Sequence, residues 1–276
     1  MSRMNLEGPT AVITGAASGI GRALAQTLAG RRCHLALADV NADGLEETAR
    51  MVRSNAVRVS THVIDLADHD AVAALPDAVA ARHGGADILI NNAGVAIGGT
   101  FDRVAARDFD WLMEINFFAV VRLTRAFLPQ LSASEDARLV FLSSVFGLIA
   151  PPGQTAYCAS KFAVRGFANS LRHELKASGS KIGVTVVHPG GVATNIAESA
   201  RQAEGTTAEE REQALERARR FLKKPPERAA GIIVDAIERR AERVLVGGDA
   251  RFMALMERLA PVSYWKILQP LMARRS

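Results

Sequence analysis

Cysteine is scarce in this chain of 276 residues: there are two, Cys33 and Cys158, each among apolar or small residues and with no pairing pattern. That excludes a disulfide framework and a thiolate metal site, and leaves reduced, structural thiols in a cytoplasmic compartment as the expectation. Aromatic residues are also few, at 5%, and no RNP-like aromatic motif or zinc-finger spacing accompanies them, so neither a nucleic-acid partner nor a bound metal is expected. Charge of one sign does not accumulate. The formal net charge of +5 is distributed over mixed-sign segments, apart from short clusters such as Arg217 to Arg220 and Arg274 with Arg275, which describes a mildly basic solvated surface. No apolar run approaches the ~18 residues that cross a bilayer, and the first nine residues lack the apolar stretch of a signal peptide. Export and integral membrane insertion are therefore not expected. Internal repeats and low-complexity linkers are missing too.

What is present is a hydrophobic fraction of 49%, enough for a sizeable core, ordered into alternating strand and helix patterns. Short apolar runs at Ala11 to Ile13, His34 to Ala38, Val57 to Ile64, Ile88 to Ile90, Leu139 to Leu142, Gly183 to Val187 and Val244 to Val246 alternate with helical segments. The helices are expected at Arg22 to Leu28, Ala42 to Ser54, Asp70 to His83, Arg107 to Leu131, Tyr157 to Ala177 and Ala229 to Ala241. Strands without polar alternation, separated by helices, predict an α/β fold with a parallel sheet covered on both faces.

Two stretches carry chemistry. Between the first strand and helix lies Thr14-Gly15-Ala16-Ala17-Ser18-Gly19-Ile20-Gly21. Glycines at such a turn let the backbone approach a pyrophosphate while helix N–H groups point at its charge. The spacing Gly-x-x-x-Gly-x-Gly departs from the more common Gly-x-Gly-x-x-Gly, and a tight turn alone would also explain it. Asp39 closes the second strand about twenty residues on, where a carboxylate accepts hydrogen bonds from an adenosine ribose and repels a 2′-phosphate. This favours NAD over NADP. Ser18 and Val40 stand where an NADP binder often offers a cation, although Arg22, Arg31 and Arg32 are near enough to leave the preference open. Asp39 could alternatively cap the helix that follows.

The second stretch is Tyr157-Cys158-Ala159-Ser160-Lys161. On a helix, Tyr157 and Lys161 share one face a turn apart. A neighbouring cation favours phenolate, so Lys161 is expected to lower the tyrosine's pKa and make Tyr157 a proton donor and acceptor. A lone pair of this kind also arises by chance as a half-buried ring beside a solvated amine. Cys158 points elsewhere on the helix and reads as packing. His173 and His188 lack partner motifs and read as structural.

Residues 195–224 shift to Glu, Arg, Gln and Ala with no strand candidate, which suits a lid over a site or a solvated helical excursion. After Gly248, Phe252, Leu255, Met256 and Leu259, then Tyr264, Trp265, Ile267 and Leu268, form an amphipathic extension. Its apolar face is expected to dock on its own domain or a sister subunit; peripheral membrane contact aided by Lys266, Arg274 and Arg275 is the alternative.

Taken together, Thr14 to Gly21, Asp65, Asn91 to Gly94, Asn116, Ser144 thirteen residues before Tyr157, Tyr157-x-x-x-Lys161, and Pro189-Gly190 with Thr194 resemble the short-chain dehydrogenase/reductase family over about Pro9 to Gly248. The resemblance implies a single-domain Rossmann fold: a doubly wound parallel sheet of about seven strands in the order 3-2-1-4-5-6-7, occupying residues 1–248, with 249–276 as a helical extension. It implies that Gly15, Ser18, Gly19, Ile20 and Gly21 line the pyrophosphate, Asp39 meets the adenosine ribose, and Asp65 with Leu66 meets the adenine edge. Asn92, Ala93 and Gly94 would pass under the adenosine half, Asn91 would tie strands together, and Pro189, Gly190, Val192 and Thr194 would hold the nicotinamide end. Catalysis would fall to Asn116, Ser144, Tyr157 and Lys161, with Ser143 a weaker alternative to Ser144 and Asn116 holding a water near the lysine. Tyr157 and Lys161 would also touch the cofactor. The expected activity is NAD-dependent interconversion of a secondary alcohol and a ketone, the substrate a lipophilic small molecule and the protein a homodimer or homotetramer. A 3-oxoacyl carrier-protein reductase using NADPH, and a non-catalytic dinucleotide-binding protein, are the competing readings.

Overall fold

The computed structural model describes residues 3–53 and 56–273. Seven strands form one parallel sheet: β1 Thr10–Thr14, β2 His34–Asp39, β3 Val59–Val63, β4 Ile88–Asn91, β5 Arg138–Leu142, β6 Gly183–Pro189 and β7 Arg243–Val246. Their spatial order is β3-β2-β1-β4-β5-β6-β7, as the resemblance implies. The order reverses between β1 and β4. The two chains leaving these strands diverge to opposite faces and open a crevice beyond the carboxyl ends, where open α/β sheets bind ligands.

The helices are α1 Gly19–Gly30, α2 Ala42–Val52, α3 His69–His83, α4 Ala106–Met113, α5 Ala119–Ala133, α6 Thr155–Ala177, α7 Ala208–Phe221, α8 Pro226–Glu238, α9 Gly248–Leu259 and α10 Tyr264–Ala273. The period-two geometry of strands sorts the core into two layers. Ala11, Ile13, Leu35, Leu37, Ile88 and Ile90 pack with Leu24, Leu28, Leu45, Ile233 and Ile237 on one face. Val12, Ala36, Leu89, Leu139 and Phe141 pack with Val79, Leu123, Phe127 and Val164 on the other. Adjacent apolar residues of one strand thus serve opposite layers, which is why the strands read as unbroken apolar runs.

Two differences from the sequence expectation, and one choice between its alternatives, bear on function. The single helix expected from Arg107 to Leu131 is α4 and α5 joined by a π-helical turn, Glu114–Phe118, and such wide turns recur at functional sites because they re-aim one residue of a helix. The segment 195–224 does contain a strand: Arg201–Gln202 pairs in parallel with Ile97–Gly98. Edge hydrogen bonding to a loop, rather than an apolar pattern, makes these two residues a strand. The amphipathic extension docks on its own chain, where Ala250, Met253 and Leu268 bury against Val145 and Ile149, while Phe252, Leu255, Leu259 and Val262 stay exposed. The expected end of the second helix at Ser54, and Arg274 and Arg275, lie outside the described residues.

Between β3 and α3, the Ser60 hydroxyl lies 2.8 Å from both His62 Nε2 and His83 Nε2. Burial pushes His83 down to about 4, with Arg58, His34 and His62 nearby adding to the effect. A depressed histidine pKa means that the folded state holds the neutral ring, so stability is complete above the unfolded value near 6.5 and is lost as pH falls towards 4. Thermal denaturation should show a loss on the order of 2 kcal/mol across that window. The slope should flatten in His83→Gln; an unchanged slope would assign the acid sensitivity to other groups.

Candidate active site

The glycine turn follows β1 and is fixed by polar ties to the loop after β4. The Thr14 hydroxyl accepts from the Asn92 and Ala93 backbone N–H groups, both at 3.1 Å. The Asn92 carboxamide donates to the carbonyls of Thr14 at 2.8 Å and Gly15 at 3.1 Å. Asn92 therefore does the tying expected of Asn91, whose buried side chain makes no hydrogen bond among the described residues. Gly15 has φ of +67°, and a Cβ on it would sit 2.8 Å from Ala93 Cα. At Gly21 a Cβ would come within 2.0 Å of the Gly15 carbonyl oxygen. The turn is thus a cradle that admits no side chain at Gly15 or Gly21, and α1 begins inside it at Gly19, where a helix N-terminus suits an anion.

One cleft of about 1250 Å³ runs along the carboxyl edge of the sheet and brings the expected residues together. Gly15, Ser18, Gly19, Ile20, Gly21, Asp39, Asp65, Leu66, Asn92, Ala93, Gly94, Ser144, Tyr157, Lys161, Pro189, Gly190, Val192 and Thr194 all line it. Asp39 is oriented by the backbone N–H groups of Ala17 at 2.9 Å and Asn41 at 3.0 Å; it does not cap α2, whose cap is Asn41. Of the three arginines near the turn, Arg31 pairs with Glu238 at 2.8 Å and Arg32 with Glu7 at 3.1 Å, while Arg22 stays at the turn, donating to the Ala17 carbonyl and pairing with Glu47, both at 2.6 Å. These residues fit a dinucleotide cofactor.

At the other end, Ser144 follows β5 and Tyr157 and Lys161 lie on the first turns of α6. The Ser144 hydroxyl oxygen accepts from Phe146 N–H at 3.1 Å, and the hydroxyl is also partnered with that of Tyr157. Ser143 is the structural member of the pair, since its buried hydroxyl donates to the Lys161 carbonyl at 2.8 Å. Lys161 is buried; its ammonium donates to the Leu142 carbonyl at 3.1 Å and stands 5.5 Å from the Tyr157 ring centroid.

The protonation states correct the expectation that Lys161 dominates the tyrosine. Burial pushes Tyr157 up to about 12, and the hydrogen bond from Ser144 offsets this only in part. Burial likewise pushes Lys161 down to about 8. Desolvation penalises each charged form before the pair can stabilise it. Burial holds His188 near 4, and its Nδ1 lies 3.1 Å from the Ser144 carbonyl oxygen, in keeping with a structural ring.

Asn116 occupies the π-helical turn, fully buried. Its carboxamide accepts from Val95 N–H at 2.8 Å and donates to the Val95 carbonyl at 2.9 Å and to Ser160 Oγ at 3.1 Å. Its contacts are thus structural ties from the cleft floor to α6. Gly94 sits against both groups: a Cβ there would lie 3.2 Å from Lys161 Nζ and 3.4 Å from Asn116 Oδ1.

Several contributors escaped sequence reasoning. Asp249 accepts from Gly191 N–H at 2.6 Å and pairs with Lys224 at 3.4 Å, securing the Pro189 to Thr194 loop. Trp265 reaches the cleft from the extension, and the neighbouring Tyr264 hydroxyl accepts from Ala150 N–H at 2.9 Å. The helical spacing of this segment is visible in the sequence; its direction of docking is not. The segment 195–224 covers the cleft through α7 and is latched by Arg103 to Glu210 at 3.1 Å and Arg201 to Asp108 at 2.7 Å, with Arg201 also over the Trp111 ring. No helix among the described residues is long and apolar enough to cross a membrane, and none of their acidic, histidine and cysteine side chains cluster to hold a metal.

A doubly wound sheet with a glycine cradle at its switch point is the architecture of a dinucleotide-binding protein. Comparison with known proteins narrows this: residues 9–205 match the family described as short chain dehydrogenase, and the chain belongs to that family. It is 42% identical over 264 residues to SadH of Mycobacterium tuberculosis strain H37Rv, covering 96% of this chain and 95% of SadH. It is 40% identical over 195 residues to the oxidoreductase UcpA of Escherichia coli strain K12, covering 70% of this chain and 73% of UcpA. A short-chain dehydrogenase/reductase from Burkholderia phymatum, solved in complex with NAD, superposes with a TM-score of 0.86 at 30% identity, covering 93% of this chain and 95% of that one.

The cradle's tightness is testable. Gly21→Ala should cost about 1–3 kcal/mol in chemical denaturation through overpacking against backbone. Gly166→Ala on α6, where a Cβ meets nothing within 4 Å, should instead stabilise by about 0.5–1 kcal/mol. Equal effects at the two positions would refute the cradle argument.

Proposed function

We propose that this protein is an NAD-dependent oxidoreductase that interconverts a secondary alcohol and a ketone. The observation carrying this reading is that Ser144, Tyr157 and Lys161 meet in the same cleft whose far end is walled by the glycine turn and Asp39. Nicotinamide, when bound, accepts hydride from the alcohol carbon or returns it to the carbonyl carbon. The protein's task is the matching proton. In reduction the Tyr157 hydroxyl gives its proton to the substrate oxygen; in oxidation the phenolate takes it back. Ser144 donates its hydrogen to the same oxygen as negative charge develops there. Lys161, cationic below its pKa of about 8, stabilises the phenolate that reduction leaves behind.

Gly15, Ser18, Gly19, Ile20 and Gly21 would hold the pyrophosphate and Asp39 the adenosine ribose. Asp65, Leu66, Asn92, Ala93 and Gly94 would line the adenosine half, and Pro189, Gly190, Val192 and Thr194 the nicotinamide end. Asn116 acts as a positioning residue through Val95 and Ser160. The oriented Asp39 carboxylate argues against the NADPH-dependent carrier-protein reductase, and a buried lysine beside a cleft-facing tyrosine serves no purpose in a pure binder. Residues 1–248 would form the dinucleotide-binding and catalytic domain, with 195–224 as its lid and 249–276 as an extension that completes the cleft.

Turnover of ketones with NADH and of alcohols with NAD tests the reading. Tyr157→Phe should lower kcat/KM about 10²–10⁴-fold while calorimetry shows NADH affinity little changed; retained turnover would sink the proposal. Because burial raises Tyr157, the acid form prevails at neutral pH, so wild-type oxidation should quicken as pH rises above 7, whereas reduction should fall as pH rises through about 8 and Lys161 loses its charge. Asp39→Ser should raise the ratio of NADPH to NADH turnover by about tenfold or more, since one like charge near a 2′-phosphate is worth at least one decade. An unmoved ratio would place the discrimination elsewhere.

A further inference from the structure

The apolar cluster beside Tyr157 is built in two tiers. Val145, Ile149, Ala250, Met253 and Leu268 are buried, at 6% exposure or less. In front of them stand three aromatic rings that are only partly covered and that line the cleft: Phe146, Phe221 and Trp265. They come from three separate places, the turn after Ser144, the end of the lid helix α7, and the C-terminal helix α10. Phe146 meets the Tyr157 ring edge-on at 6.3 Å and 87°. Phe146 and Phe221 lie parallel, 6.3 Å apart with 7° between their planes.

A core aromatic has no reason to face a water-accessible cleft when buried aliphatic positions lie directly behind it. Ring surface left towards water forgoes about 25 cal/mol per Å², and a ligand that covers it recovers that energy. The wall adjoins the proton donor, so whatever covers it is attached to the reacting carbon. The hydroxyl of Tyr264, next to Trp265, anchors α10 to the catalytic loop at Ala150, which fixes the position of the third ring.

We infer that Trp265, with Phe146 and Phe221, forms the specificity wall of the cleft, and that the substrate is a secondary alcohol or ketone whose larger substituent is an aryl or comparable apolar group seated against it. This rests on the alcohol and ketone reading of the same site and adds the substrate class. Each ring has a distinct part: Phe146 sets the distance from Tyr157, Phe221 joins the wall when the lid is latched, and Trp265 makes the tail part of the substrate site.

The test compares 2-butanone with 4-phenyl-2-butanone, the same ketone bearing a phenyl ring, using NADH and the full chain. Wild type should favour the phenyl ketone in kcat/KM by at least about tenfold, as expected for a buried apolar group. Trp265→Ala should reduce that preference about tenfold, chiefly through KM, and Trp265→Phe should restore most of it. No preference in wild type, or an equal loss for both ketones in Trp265→Ala, overturns the inference. A binding arm separates it from the redox reading. The chain has two tryptophans, so in Trp111→Phe the fluorescence reports Trp265 alone; 4-phenyl-2-butanol should quench it at concentrations where 2-butanol does not. Quenching without turnover would refute the proposed activity and keep the wall, whereas turnover without quenching or preference would do the reverse.

Discussion

A lysine ammonium held out of water, with a backbone carbonyl and the face of a tyrosine for company, is the constraint around which the carboxyl edge of the sheet is arranged. Burying a cation is expensive unless its surroundings are fixed in advance. Here Ser143 holds the Lys161 carbonyl, Leu142 receives the ammonium, Gly94 leaves room beside it, and Asn116 clamps the adjoining loop. Leu142 and Ser143 come from the end of β5, Gly94 from the loop after β4 and Asn116 from the turn between α4 and α5. The parallel sheet brings them to one edge, and the π-helical turn re-aims Asn116 inward.

The same cost explains why the resting protein stores its proton on the tyrosine. A phenol is cheap to bury and a phenolate is not, so the site by itself favours the acid form. Local desolvation and local charge pull in opposite directions, and for Tyr157 the water that burial removes is the larger effect.

Much of this was legible in the sequence because it is local. The apolar runs fix the strands, Tyr157 and Lys161 share a helical face by spacing alone, and the glycine turn announces a cradle. Asp39 could be placed at a strand end because strand and turn lengths are regular. What could not be read is long-range. Nothing near Asn92 distinguishes it from Asn91, since the choice depends on which side chain meets Thr14 across the sheet. Asp249 looks like any acidic residue at a helix start. The two-residue strand at Arg201 has no apolar signature, because its pairing is made by backbone with a loop about a hundred residues earlier. The tyrosine pKa failed for a related reason: spacing reports proximity but not dielectric.

The docking of α10 has a consequence for truncation. The sheet is complete at Val246, yet Asp249 holds the loop after β6, and Trp265, nineteen residues beyond the last strand, walls the cleft. A chain cut after its last strand has every strand of the sheet and neither of these supports, so the outline of the fold and the finish of its cleft are separable by length.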